Sequence, residues 1–392
     1  MRADPVDATH AGSGLIGATG ERFEGVRRIA VLRGGGLGDV LFAIPAMNAL
    51  IATYPAAHIT LLGTAVHAAL LADRPGVPHS VVQLPVAHGV RDGDGEHPAE
   101  LDRFFAEMRL ERFDLAVQLH GGGRFSNPFL LRLGARHTVG GRSEGAAELE
   151  RTIPYVYFQH EVLRDLEIVA LAGAASVGAE PSLQVTAAER IAGSRMRDGA
   201  GRGLVAVHPG ATDPRRRWPV ERFGEVAAAL ALDGYQVIVI GDSGERRLCD
   251  SVVHAADAIA PGRRVFSAAG TLSLSQLVGL LAAADVVVAN DSGPRHLAQA
   301  VGTPTVGVYW VGNVINAAPL TRARHRVHIS WTTHCPVCGR ECTRPETMPT
   351  RCEHEVSFVA DVDVEAVCAD ARELLAAEPE EAATDDGLRD RA

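Results

Sequence analysis

The sequence contains no lysine; all 38 basic residues are arginine. That excludes Schiff-base chemistry, a lysine general base and the Walker phosphate loop. Aromatic residues are scarce, at 5%. No apolar run approaches the roughly 18 residues that a membrane-spanning helix requires. The N-terminus, Met1-Arg2-Ala3-Asp4-Pro5, lacks the apolar core of a secretion signal, so a cytoplasmic location is expected. A net charge of −10 argues against the basic face that nucleic-acid binding needs.

What is present suits a two-domain globular protein: 392 residues, 46% hydrophobic and 22% charged. The apolar run Arg28-Ile29-Ala30-Val31-Leu32 leads into Arg33-Gly34-Gly35-Gly36-Leu37-Gly38-Asp39 and then into helical spacing at Val40, Leu41, Ile44, Met47 and Leu50. This strand, loop and helix do not make the dinucleotide fingerprint, because Asp39 stands where a third glycine belongs. Further strands are expected over 59–62, 81–84 and 114–119. A second alternating series has strands over 204–207, 235–240, 264–267, 286–289 and 305–309. Alternation of this kind implies parallel, doubly wound α/β sheets, and two such domains leave a ligand cleft between facing strand ends.

The expected organisation is a disordered lead-in over 1–25, a first domain over 26–177 and a linker over 178–203 in which Leu183-Gln184-Val185 is a candidate short strand. A second domain over 204–356, a C-terminal helix within 357–377 and an acidic disordered tail over 378–392 complete it. His120-Gly121-Gly122-Gly123 and Gly141-Arg142-Ser143-Glu144-Gly145 imitate a hydrolase oxyanion loop and nucleophile elbow. They lie too close together for that fold, and no strand signal precedes Gly141.

Three loops of the second series hold polar groups. They are His208-Pro209-Gly210-Ala211-Thr212-Asp213-Pro214-Arg215-Arg216-Arg217-Trp218-Pro219, Gly241-Asp242-Ser243-Gly244-Glu245, and Asn290-Asp291-Ser292-Gly293 before Pro294-Arg295-His296. Proline suits a first helical position, Ser292 or Asp291 can cap the helix, and the helix dipole then favours an anion such as a diphosphate. Arginines before a helix add forked donors for the same anion. The bland alternatives are an ordinary capped turn and a solvated basic turn. Trp218 reads as a core anchor.

The glycine loop ending at Asp39, the His208-Pro209-Gly210-Ala211 to Arg216-Arg217-Trp218-Pro219 stretch, and Asn290-Asp291-Ser292-Gly293-Pro294-Arg295-His296-Leu297-Ala298 occur in one order and spacing. Together they resemble the heptosyltransferases, glycosyltransferase family 9, over about residues 28–309. The resemblance implies a GT-B fold and an inverting transfer that needs no metal or other cofactor. The donor would be a nucleotide-diphosphate sugar such as ADP-heptose, and the acceptor a saccharide or a lipid-linked molecule. No nucleic-acid partner and no transmembrane segment are expected, while peripheral membrane association stays open. Acceptor contacts would lie mainly in the first domain and donor contacts in the second, with the C-terminal helix crossing back towards the first.

By the same resemblance, Asp39 matches the proposed general base; its alternative role is simple helix capping. Arg216 stands where the family usually has lysine and would balance charge on the departing diphosphate. Gly38, Thr212, Arg217, Asp291, Ser292, Gly293 and His296 match substrate-contacting positions, and Glu245 a position for the ribose hydroxyls. Two rival functions remain: a GT-B sugar-nucleotide epimerase, and a non-catalytic sugar-nucleotide-binding module.

Four of the six cysteines cluster as Cys335, Cys338, Cys342 and Cys352, with His334 and His354 flanking. A CxxC turn with two further thiols fits a structural zinc site, although the second CxxC is missing. Reduced or redox-active thiols and disulfides are the other readings. Cys249 and Cys368 fall on helical patterns and read as packing residues.

Overall fold

The computed structural model describes residues 15–71, 74–76, 78–199, 201–344 and 352–377. The first half carries β1 (Arg28–Leu32), α1 (Leu37–Thr53), β2 (His58–Gly63), α2 (Ala65–Leu71), β3 (Ser80–Gln83), α3 (Pro98–Leu110), β4 (Leu115–Gln118), α4 (Ser126–Leu131), β5 (His137–Arg142), β6 (Arg151–Pro154) and α5 (Glu161–Ala170). The second carries α6 (Ala187–Ser194), β7 (Leu204–His208), α7 (Val220–Leu232), β8 (Gln236–Val239), α8 (Arg246–Ile259), β9 (Val265–Ser267), α9 (Leu274–Ala283), β10 (Val286–Asn290), α10 (Gly293–Ala300), β11 (Thr305–Trp310), α11 (Val311–Ala317), β12 (His325–Ser330) and α12 (Val364–Ala376).

The strands form two six-stranded sheets, ordered β3-β2-β1-β4-β5-β6 and β12-β11-β10-β7-β8-β9. Every pairing is parallel. Counted from its own first strand, each sheet has the same doubly wound order, the pair expected of a GT-B protein. The order reverses between β1 and β4 in one sheet and between β7 and β10 in the other. Ligands bind at such switch points, outside the carboxyl ends of the strands. Apart from the exposed Arg28, the central strands are buried, and they are apolar up to polar last residues at Gln118, His208 and Asn290, as helices on both faces of a parallel sheet require.

One apolar cluster runs from α1, through Val40, Ile44 and Met47, to Leu297 and Ala298 of α10. The two halves therefore meet where the N-termini of α1 and α10 abut. Two glycines permit the approach. A Cβ on Gly38 would sit 3.0 Å from His296, and one on Gly293 would sit 3.1 Å from Leu37.

Several expectations are corrected. Residues 15–25 are ordered: Phe23 is buried and stacks on His137 at 4.0 Å, and the Ile16 amide donates to Ser176 at 2.9 Å. Residues 1–14 and the tail over 378–392 lie outside the described residues. The stretch expected as a linker contains α6, which is closed by a Thr186–Glu189 capping box and packs on α9. Leu183-Gln184-Val185 forms no strand. The C-terminal helix α12 does not cross back to the first sheet. It packs on α7, β10 and β11, and Val364, Val367, Cys368, Ala371 and Leu374 join the core of the second sheet.

Gly141 does lie in a strand, β5, contrary to the sequence pattern. Ser143 is nevertheless followed by turns rather than a helix, so no nucleophile elbow forms. No helix among the described residues is long and apolar enough to cross a membrane.

Candidate active site

A cavity of about 690 Å³ opens between the two sheets at their switch points. Gly38, Asp39, Thr212, Arg216, Glu245, Asp291, Ser292, Gly293 and His296 all line it. Arg217 does not; its guanidinium donates to the Ala211 carbonyl at 2.8 Å.

Asp39 occupies the third position of α1, and both of its oxygens are held. Oδ2 accepts the Gly36 amide at 2.8 Å and Oδ1 accepts Arg33 at 3.1 Å. The capping role is therefore real, yet the side chain is 46% exposed to the cleft. A carboxylate has about four acceptor sites, so each oxygen keeps one free for a proton. Gly35 allows this geometry. Its φ is +88°, and a Cβ there would strike the Asp39 carboxylate. His67 supports the loop from behind, donating from Nε2 to the Gly36 carbonyl at 2.9 Å while Nδ1 accepts the Thr64 amide.

Arg33 is buried between acids. It bonds Asp39, Glu161 at 3.0 Å and the Leu119 carbonyl. Burial alone would lower its pKa, but Asp165, Glu161 and Asp39 reverse that. Burial likewise pushes Glu161 up, and the Arg33 and Arg164 charges bring it below the ordinary value. Asp165, fully buried and without a hydrogen-bond partner, is pushed well above the carboxylate range, chiefly by burial.

Across the cleft, Arg216 sits at the end of a single 3₁₀ turn, Pro214–Arg216, and pairs with Asp291 at 2.9 Å. Asp291 also accepts from His296 Nε2 at 3.1 Å. Arg295 donates to His296 Nδ1 at 2.7 Å, which fixes the proton on Nε2. Burial, then the Arg295 charge, brings His296 down to about 4. Burial opposes ionisation of Asp291, but the His296 hydrogen bond and the Arg216 charge outweigh it and hold Asp291 at about 2. The result is an anion, a cation and a neutral imidazole at the start of α10.

Ser292 does not cap α10, contrary to the sequence expectation; no side chain does. Its hydroxyl bonds His208 Nδ1 at 2.9 Å, and His208 Nε2 bonds Glu245 at 3.2 Å. That bond, against a smaller opposing effect of burial, holds Glu245 below its ordinary pKa. Asn290 braces the loops. It accepts the Trp218 amide at 3.0 Å and donates to the Pro209 carbonyl at 2.7 Å. Trp218 is core, as expected.

Tyr155, Tyr157, Glu161, Phe42, Asn313 and Asn316 also face the cavity. None carried a local sequence signal, because each sits in an element brought here by tertiary packing. Ile240, Leu272, Leu274 and Leu277 add an apolar wall.

The sequence profile of Glycosyltransferase family 9 (heptosyltransferase) matches residues 101–346. The chain belongs to glycosyltransferase family 9. It is a glycosyltransferase of the heptosyltransferase type. Lipopolysaccharide heptosyltransferase 2 of Salmonella typhimurium is 27% identical over 295 residues, spanning 72% of this chain and 82% of that one. Among solved structures, a family 9 glycosyltransferase from Veillonella parvula matches with a TM-score of 0.70 at 19% identity, covering 91% of this chain and 99% of that chain. The E. coli ADP-heptose heptosyltransferase II matches with a TM-score of 0.68 at 21% identity, covering 89% and 98%.

All six cysteines are free thiols. The groups poised around one point are Cys335, Cys338, Cys352 and His354 rather than the four clustered cysteines. Cys342 is buried beside them and donates to the Arg340 carbonyl at 3.2 Å. Cys249 and Cys368 are buried in the core of the second sheet, and burial pushes the Cys249 thiol up to about 12.

Proposed function

We propose that this chain transfers heptose from ADP-heptose to a saccharide or lipid-linked acceptor of the lipopolysaccharide type, with inversion at the anomeric carbon and without a metal in the reaction. The donor is the one named for the E. coli structural neighbour, and the acceptor class follows the Salmonella relative. The observation that carries the reading is the meeting of Asp39 from one sheet with Arg216, Asp291 and His296 from the other on a single cavity.

In this reading residues 26–177 supply the acceptor side and 204–356 the donor side. The apolar wall from Ile240 to Leu277 takes the adenine and Glu245 the ribose hydroxyls. Thr212, Arg216 and the uncapped amides at Ser292 and Gly293 take the diphosphate. Asp291, oriented by His296 Nε2, faces the sugar.

The acceptor hydroxyl attacks the anomeric carbon from the Asp39 side. Its proton passes to the Asp39 carboxylate, the bond to the phosphate oxygen breaks, and ADP leaves carrying the electron pair. Arg216 and the α10 dipole balance the charge that develops on the diphosphate, the task that a divalent cation performs in metal-dependent enzymes. Attack opposite the leaving group inverts the centre in one step.

Calorimetric titration with ADP, UDP and GDP tests the donor side. Selective ADP binding that weakens about tenfold or more in Arg216→Ala supports it. Equal binding of all three, or binding indifferent to Arg216, contradicts it. NMR of the product anomer tests inversion. Isomerisation of the nucleotide sugar without acceptor would put the epimerase reading in its place.

A further inference from the structure

None of the residues in the thiol cluster lines the cleft, so the transfer reaction leaves the cluster unexplained. Its backbone is built as a tight knuckle. The Cys335 amide donates to the Arg340 carbonyl at 2.8 Å, the Gly339 amide returns to the Cys335 carbonyl at 2.9 Å, and Gly339 has φ +70°. His334 and Glu341 bridge across the base of the knuckle, and the Cys342 amide bonds the Thr333 carbonyl at 2.9 Å.

Cys352 and His354 approach from a separate stretch. One ligand atom from each of Cys335, Cys338, Cys352 and His354 lies within 4.8 Å of all the others. A tetrahedral zinc site with bonds of about 2.3 Å to sulfur spaces its sulfurs roughly 3.8 Å apart, so little closing is needed. A second observation is independent of that spacing. His354 Nδ1 is buried and has no hydrogen-bond partner. A buried imidazole nitrogen without a partner is costly unless something binds it.

We propose that Cys335, Cys338, Cys352 and His354 bind one zinc ion in a closed, structural, tetrahedral site. Three thiolates and an imidazole are a soft donor set that suits zinc and leaves no position for substrate. Three thiolates around a dication leave one net negative charge. Arg215 lies close enough to Cys342 and Cys352 to interact electrostatically, and its buried Nη1 has no hydrogen-bond partner.

The site's position also gives the metal a mechanical task. The Phe358 amide bonds the Arg215 carbonyl at 2.7 Å, and the Arg215 guanidinium lies over the Trp310 and Phe358 rings at 5.2 and 5.7 Å. Ser330 fixes the Phe358 carbonyl at 2.6 Å. A metal tying 335–338 to 352–354 therefore fastens the segment that buttresses Arg215, the neighbour of Arg216.

The test is elemental analysis of untagged full-length protein purified without added metal or chelator. The proposal expects about one zinc per chain in the wild type. It expects loss in both Cys338→Ser, which alters an exposed thiol, and His354→Ala, and retention in Cys342→Ala. ADP titration of each variant checks that the fold survives, and a strong chelator should lower the thermal midpoint of the wild type but not of Cys338→Ser. A wild type without zinc, iron in its place, or full zinc in His354→Ala overturns the proposal. Loss of zinc from a Cys342→Ala protein that still binds ADP would also contradict the ligand set.

Discussion

The Asp39 carboxylate is held by the Gly36 amide and by Arg33, in space that Gly35 leaves open. Gly35→Ala forces a side chain into the left-handed region and against the carboxylate. It should cost about 1–2 kcal/mol of stability and displace Asp39, lowering turnover more than ADP affinity; denaturant unfolding and steady-state kinetics read the two effects. Acid should also unsettle the residue-scale network. His296, held at about 4, and His325, pushed down to about 3 chiefly by burial, are neutral in the folded chain but protonate near 6.5 when unfolded. The unfolded state then binds more protons, so stability present above pH 6.5 is lost as pH falls towards 4. Asp291, held at about 2, adds a further loss below its unfolded value of 3.8. Thermal midpoints measured from pH 7 to pH 4 should fall, and should fall less steeply in His296→Gln. An equal slope in the variant would mean that His296 is not held neutral.

At the scale of elements, the glycine loop, the strand before it and α1 were legible because hydrophobic period and turn chemistry agree there. So were the loops after β7 and β10. The strands β5, β6 and β12 were not, although the edge strands β3 and β9 were. β12 reads His325-Arg326-Val327-His328-Ile329-Ser330, a polar edge pairing on one side only, and β5 and β6 carry glycines or a proline that weaken a strand signal. The role of α6 was missed although Thr186-Ala187-Ala188-Glu189 is a capping-box pattern, because the surrounding glycine and alanine obscure its period. Glu189 does more than close that box. It forms a buried bidentate pair with Arg74 at 2.6 and 2.9 Å, joining α6 to the first half of the chain. Glu189→Ala leaves a buried guanidinium short of its counter-charge and should cost about 3 kcal/mol in chemical denaturation. Trp218→Ala, deleting a fully buried indole, should cost about 3–5 kcal/mol in the same assay.

For the whole molecule, the candidate site was legible as separate motifs but not as a surface. Asp39, Arg216 and Asp291 could be picked out from the motifs and from the family those motifs resemble. Tyr155, Tyr157 and Glu161 could not, because only the packing of α1 against α5 and α10 brings them to the same cavity. The outward turn of Arg217 and the tie between Ser292 and His208 are likewise consequences of tertiary packing, with no mark in the local sequence. Both halves line the cavity, so the proposal stands on Asp39 deprotonating an acceptor that attacks a donor held by the opposite half. The most direct measurement is single-turnover heptose transfer from ADP-heptose to a truncated lipopolysaccharide acceptor, comparing wild type with Asp39→Asn, alongside ADP affinity for both. A transfer rate lower by about 10²–10⁴ with ADP affinity unchanged is the predicted result; transfer at the wild-type rate would contradict the account.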